Sequence, residues 1–207
     1  MTPQHRHLLK TTFLISLSFF SCLIWAEVNQ EPAIHAPVNE LHTSLLSIME
    51  NADTKTFQER YDVMEEVVVK HFNSPLISKV ILSRHWKTLE EQSQSEFIDL
   101  FNRLTISTYV NRFDSFNGES FKNLSIEQMK ENRFMVKTEF VRTNDVPVSF
   151  NYIVQNDDGE WKIISVIANG INDLSLKRAD YSAIIKEKGF DALIASLKVK
   201  ISDLQPK

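Results

Sequence analysis

Cysteine and glycine are nearly absent: the 207 residues hold one cysteine, Cys22, and four glycines, Gly118, Gly159, Gly170 and Gly189. A single cysteine excludes an internal disulfide framework, so the fold must stand on its apolar core. Four scattered glycines exclude a phosphate-cradling loop and a dinucleotide fingerprint, which need clustered glycines where backbone meets phosphate. There is no Gly-x-Ser-x-Gly elbow and no His-Glu-x-x-His pair. Basic residues are also in deficit, 23 against 27 acidic, which argues against a general nucleic-acid binder.

Long apolar runs are missing everywhere but the start. Residues 11–25, TTFLISLSFFSCLIW, follow Arg6 and Lys10 and precede Ala26. This is the layout of a secretory signal, with cleavage expected after Ala26. An uncleaved anchor is the alternative, although the run is short of the ~20 apolar residues a spanning helix needs. Without Arg6 and Lys10 the basic residues fall to 21 and the formal charge to −6. Cys22 leaves with the signal. Residues 27–40 (EVNQEPAIHAPVNE) are polar and contain proline, and read as a flexible lead-in.

The remainder, 41–207, is long enough for one domain with a substantial core. Helical spacing comes first. Residues 41–51 form a short amphipathic helix. In 55–72, Phe57, Tyr61, Met64, Val68 and Phe72 recur every three or four residues. Ser74-Pro75 reads as an N-cap with Pro at the first helical position. Thr88-Leu-Glu-Glu91 reads as a capping box opening a long helix to about Phe116, with Gly118 beyond it. The period then changes to two. A weak strand at 119–125 is followed by 133–142, 147–155 and 161–168, and the tip Asn156-Asp157-Asp158-Gly159 joins the last two as a hairpin. Two helices, 174–188 and 190–200, flank Gly189. The fold class is α+β: helices packed on one face of a four-stranded, mainly antiparallel sheet.

Chemistry is hard to find in this pattern. His35, His42, His71 and His85 have no second ligand at helical spacing, so no metal site and no cofactor is expected. What is plentiful is phenylalanine, 14 residues, with three Trp and four Tyr. Periodicity alone leaves two readings of these aromatic stripes: a filled core, or an apolar pocket where sheet and long helix fail to close.

The order of four stretches adds to this: FQERYDVMEEVVVKHFNSPLISKVILSRHW, TLEEQSQSEFIDLFNRL, TYVNRFDSFNGESF and DGEWKIISVIANGINDLSLKRADYSAIIKEKGFDALIASL. Together, from about Phe57 to Leu197, they resemble the toluene-tolerance auxiliary, MlaC-type family. The stretches Ser83–Trp86, Arg112–Asp114 and Lys177–Ser182 are similar to its hopanoid-associated HpnM branch. The resemblance implies an α+β fold with an apolar cavity. It also implies a non-enzymatic periplasmic carrier of a phospholipid or hopanoid-type lipid. The implied partners are an outer-membrane lipoprotein–porin complex and an inner-membrane ABC transporter. Pro147–Tyr152 matches a family strand lining the cavity, and Trp161 the family Trp that opens the next strand. Ile167–Ile171 matches a segment in which the family has Glu before the Gly and Val-Ser after it. Here Asn169 precedes Gly170, and Ile171-Asn172-Asp173 follows.

The expected lipid-binding residues are Phe97, Leu100, Phe101, Leu104, Tyr109, Phe113, Val136, Phe140, Val148, Phe150, Tyr152, Trp161, Ile163 and Ile167. Lys177, Arg178, Lys186, Lys188, Lys198 and Lys200 are candidates for docking an anionic surface, or simply a solvated face. Two rivals stand beside the carrier: a scaffold with a filled core, and an enzyme acting on a polycyclic lipid. The enzyme would need an acid–base pair in the pocket, with His85 or Asp114 pointing inward.

Overall fold

A computed structural model describes residues 31–206; the expected signal peptide lies outside them. Among these residues, six α-helices and a five-stranded sheet follow in chain order. The helices are α1 (Glu31–Glu50), α2 (Phe57–His71), α3 (Ser74–Leu82), α4 (Glu91–Arg112), α5 (Asp173–Lys188) and α6 (Phe190–Leu204). The strands are β1 (Ser120–Lys130), β2 (Arg133–Val141), β3 (Val148–Asp157), β4 (Glu160–Ala168) and β5 (Ile171–Asn172). They form an antiparallel meander in the order β1-β2-β3-β4-β5.

The expected lead-in is corrected from Glu31 onward. Residues 31–40 are the first half of α1, and Ile34, Pro37 and Val38 are buried beneath it. Prolines led to the opposite expectation. Pro37 removes one backbone donor inside the helix, yet the helix persists because its apolar face packs on the core.

The sheet has five strands, not four. The addition, β5, is made by Asn169-Gly170, whose φ values are +48° and +79°. Two successive residues of positive φ make the tight turn that Asn-Gly favours. The tip at Asp158-Gly159 is of the same kind, with φ of +51° and +94°. Strand β1 is an edge, mostly exposed, and is bulged at Leu124 and Met129, which discourages pairing with another chain.

Helix starts are corrected as well. The capping box is at Thr56, not Thr88: the Glu59 N–H donates to Thr56 Oγ1 at 3.2 Å, and the Thr56 N–H donates to Glu59 Oε2 at 2.8 Å. Thr88 ends a 3-10 turn, Ser83–Thr88, and its hydroxyl donates back to the His85 carbonyl at 2.8 Å. It therefore has no role at the start of α4, which begins at Glu91. Asn73, not Ser74, caps α3, through Oδ1 and the Leu76 N–H at 3.0 Å. Helix α4 stops at Arg112, so Phe113–Glu119 is a loop. Gly189 separates α5 and α6 as expected.

Side chains on the inner sheet face, Val136, Phe140, Tyr152, Val154 and Ile163, meet buried residues of the helices, among them Leu41, Leu45, Met64, Ile81 and Phe97. The outer face carries ion pairs Lys137–Glu127 and Lys162–Glu160. Among the described residues no helix is long and apolar enough to cross a membrane.

Candidate functional site

Large side chains close one half of the space between sheet and helices. Phe97, Leu100, Tyr152, Val154 and Ile163 are all buried there. Toward the other end the facing residues are shorter: Thr105 and Thr108 on α4, and Val166 and Ala168 on β4. The helix and sheet are held apart by their neighbours, and short side chains do not span the gap. A half-open cleft of about 1030 Å³ results.

Its walls are apolar. Phe72 and Ile81, with Phe101, Leu104, Tyr109 and Phe113, form the helical side, and Phe140, Val148, Phe150 and Val166 the sheet side. Phe113, Phe140 and Phe150 pack edge to face, with centroids at 5.6 and 6.4 Å. The threonine hydroxyls need no partner in the cleft. Thr105 donates to the Phe101 carbonyl at 2.8 Å and Thr108 to the Leu104 carbonyl at 2.6 Å. Burial, with Asp173 nearby, pushes the Tyr109 phenol well above its ordinary pKa, and Tyr181 is raised by burial and by Asp173 and Asp180. Both phenols stay neutral across physiological pH.

The charges are at the mouth: Arg112, Glu119, Arg142, Asp173, Lys177 and Asp180, with Lys200 further along. Lys177 Nζ contacts both Asp173 oxygens, at 2.5 and 2.6 Å. Arg142 Nη2 lies 2.7 Å from Asp145. Among the described residues, no histidine or cysteine lines the cleft.

Of the residues expected from sequence, Phe101, Leu104, Tyr109, Phe113, Phe140, Val148 and Phe150 come together on the cleft wall. Phe97 does not. It lies in the core among α4, α5 and α6, against Tyr181 and Phe190. Leu100, Val136 and Ile163 are core residues too. Tyr152 is buried against His42 of α1, 3.1 Å from its Nε2. Trp161 packs on Phe134 at 5.4 Å, outside the cleft.

Ile167 is on the other sheet face. The register between β3 and β4 slips, so that Ile153 opposes Ser165 while Val154 opposes Ile163. Ile164 is the extra residue, and alternation restarts after it. Val166, opposite Tyr152, and Ala168, opposite Phe150, therefore face inward in place of Ile167. Strict alternation had no means of finding Val166 and Ala168.

Of the charged residues offered for docking, Lys177 and Lys200 line the cleft, and Lys198 pairs with Glu96 at 2.8 Å. Arg112 and Arg142, which were not singled out, stand at the mouth. The ends of two apolar stripes would have pointed to them. His85 sits in the 3-10 turn away from the cleft, and Asp114 in a separate shallow depression beside Phe57 and Leu204.

Helices on one face of an antiparallel meander, with a cleft between the layers, define an α+β domain. The model of the MlaC protein family matches residues 39–199, and the chain belongs to that family. It is 24% identical over 186 residues to the toluene tolerance protein Ttg2D of Pseudomonas putida, covering 89% of this chain and 86% of that one. It is 18% identical over 144 residues to the intermembrane phospholipid transport system binding protein MlaC of Haemophilus influenzae, covering 68% and 67%. The fold is also that of a phospholipid-binding protein from Ralstonia solanacearum, solved in complex with a phospholipid. The TM-score is 0.73 at 16% identity, over 83% of this chain and 98% of that one.

Proposed function

We propose that this protein is a periplasmic lipid carrier without catalytic activity of its own. It holds the acyl chains of a phospholipid in the cleft and passes the lipid between an outer-membrane complex and an inner-membrane ABC transporter. The observation that carries this reading is the apolar cleft of about 1030 Å³ between α4 and the sheet. Its volume is at the upper edge of small-molecule pockets, roughly 300–1,000 Å³. Each buried CH₂ is worth about 0.8 kcal/mol, so a ~14-carbon chain crossing water bare would forgo about 11 kcal/mol. A carrier needs a dry apolar interior and no acid–base pair. The neutral phenols and internally bonded threonines of the cleft suit that need. The name of the Haemophilus relative, an intermembrane phospholipid transport system binding protein, and the phospholipid bound to the Ralstonia protein favour the same cargo class.

The test is to express residues 1–207 in a bacterium that makes both phospholipids and hopanoids, purify the exported protein without detergent, and apply native mass spectrometry with lipid extraction. A one-to-one phospholipid adduct is expected. A hopanoid adduct would replace the cargo, and protein bare of lipid would overturn the reading.

A further inference from the structure

Two apolar stripes run along the cleft walls, and both end in arginine. On α4, Phe101, Leu104 and Tyr109 lead to Arg112, the last residue of the helix. On β2 the inward positions run from Val136 and Thr138 in the core to Phe140 on the cleft wall and then to Arg142, one residue past the strand. Arg142 spends Nη2 on Asp145, at 2.7 Å. Its Nε is buried and makes no hydrogen bond in the protein. A buried guanidinium N–H without an acceptor is unfavourable, so the group is incompletely satisfied within the protein, and with the side chain 41% exposed its outer N–H groups can meet a ligand oxygen at the mouth.

The acidic groups nearby are largely engaged. Glu119 accepts from the Asn117 backbone N–H at 2.5 Å. Asp173 is closed by Lys177. Asp180 stands on the α5 side with Lys177, and Lys200 lies over the Tyr181 ring at 6.0 Å. The arginine side is where an anion can be held, and a guanidinium fork matches the spacing of phosphate oxygens.

We propose that Arg112 and Arg142 form the headgroup site of the cleft, binding the phosphodiester of a glycerophospholipid so that phosphorylated lipids are selected over neutral ones. This rests on the cleft being the lipid site. A phosphodiester at the mouth keeps its charge near water while the chains lie against Phe140, Phe150 and Phe113, so one lipid satisfies both halves of the site.

The experiment separates the two readings. Lipid-free protein is offered vesicles with equal phosphatidylglycerol and diacylglycerol of identical acyl chains, and the lipid retained after gel filtration is extracted and quantified. The wild type is expected to retain one lipid, with the phosphodiester form preferred by roughly tenfold, the factor one charge-assisted hydrogen bond supplies. R142Q and R112Q are each expected to bring the ratio of retained phosphatidylglycerol to diacylglycerol toward parity. Should R142Q melt early, R112Q, whose arginine is exposed at the end of its helix, carries the test.

Wild-type protein that takes up no lipid would sink the carrier reading itself. Equal uptake of both lipids, or an R112Q/R142Q double variant that keeps the wild-type preference, would overturn the headgroup site alone. Inorganic phosphate that stabilises the wild type but not R142Q, with no headgroup preference, would make this a free-anion site and overturn it as well.

Discussion

The His42 imidazole on α1 is stacked on Phe121 of β1, 3.8 Å between centroids and 7° from parallel, while its Nε2 shares a hydrogen bond of 3.1 Å with the Tyr152 hydroxyl of β3. Both side chains are buried. Burial, with a smaller contribution from His35, pushes the His42 pKa down to about 3. The unfolded chain, with an imidazole near 6.5, therefore binds the extra proton between pH 6.5 and 3, and the folded chain does not. Stability is unaffected by His42 above pH 6.5 and falls as pH drops below it, by up to about 1.4 kcal/mol per pH unit. H42Q, which can still meet the Tyr152 hydroxyl, is expected to flatten that slope. Lys70 and His71 hold the Glu40 carboxyl below its ordinary range, and this adds acid sensitivity to both proteins alike. Urea unfolding from pH 4.5 to 7.5 checks it, and parallel slopes in the two proteins would contradict it.

A charge does different things at Phe150 and at Ile163. Phe150 is half-buried on the cleft wall, so F150E is expected to fold and to lose lipid retention at least tenfold. Ile163 is wholly buried, and its carbonyl accepts from the Asn73 N–H at 3.0 Å where α2 joins α3. Here I163E would bury an unpaired carboxylate, a cost of several kcal/mol, and no folded protein is expected. Circular dichroism with lipid extraction distinguishes the two. A folded I163E without lipid would place the binding wall deeper than the cleft described.

Two Thr-x-x-Glu signatures occur at helix starts, and only one caps. T56A is expected to cost about 1 kcal/mol of stability, as lost N-caps do. T88A is expected to cost less than half of that, since the Thr88 hydroxyl bonds only the exposed 3-10 turn behind it. Denaturant midpoints of the two variants, compared at equal slope, give the answer directly. Equal losses would mean that Thr88 supports α4 after all.

The outcome at these threonines says what was legible. Local spacing identified the long helix, the hairpin tip at Asp158-Gly159 and seven of the residues that line the cleft, because those features depend on neighbours in sequence. The signature at Thr88 failed because a competing local bond took its hydroxyl. Ile167 failed because one extra residue, Ile164, inverts the alternation, and a bulge leaves no mark in a run as rich in β-branched residues as Ile163-Ile164-Ser165-Val166-Ile167. Phe97 and Phe101 lie on one stripe, yet the first meets Tyr181 and Phe190 and the second meets the cleft. Periodicity gives a face and not the distance to what lies opposite.

The same limit governed α1, where composition suggests a flexible lead-in. Ile34 and Val38 are 3% and 0% exposed, on the face that continues through Leu41, Leu45 and Ile48. Glu40, at the middle of the helix, bonds Lys70 and His71 of α2 at 3.0 and 2.7 Å, so the segment is tied at its surface as well as beneath it. Burying a Val or Ile side chain is worth about 1.5–3 kcal/mol. A chain beginning at Leu41 should then lose about 3–6 kcal/mol relative to one beginning at Glu27, much of what a domain of this size has. Paired substitutions I34A and V38A test the same contacts without shortening the chain, and should lower the melting temperature by several degrees each. If the shortened protein melted with the longer one, α1 would be an appendage up to Leu41, and the cover it gives to the sheet would begin only with the His42–Tyr152 contact.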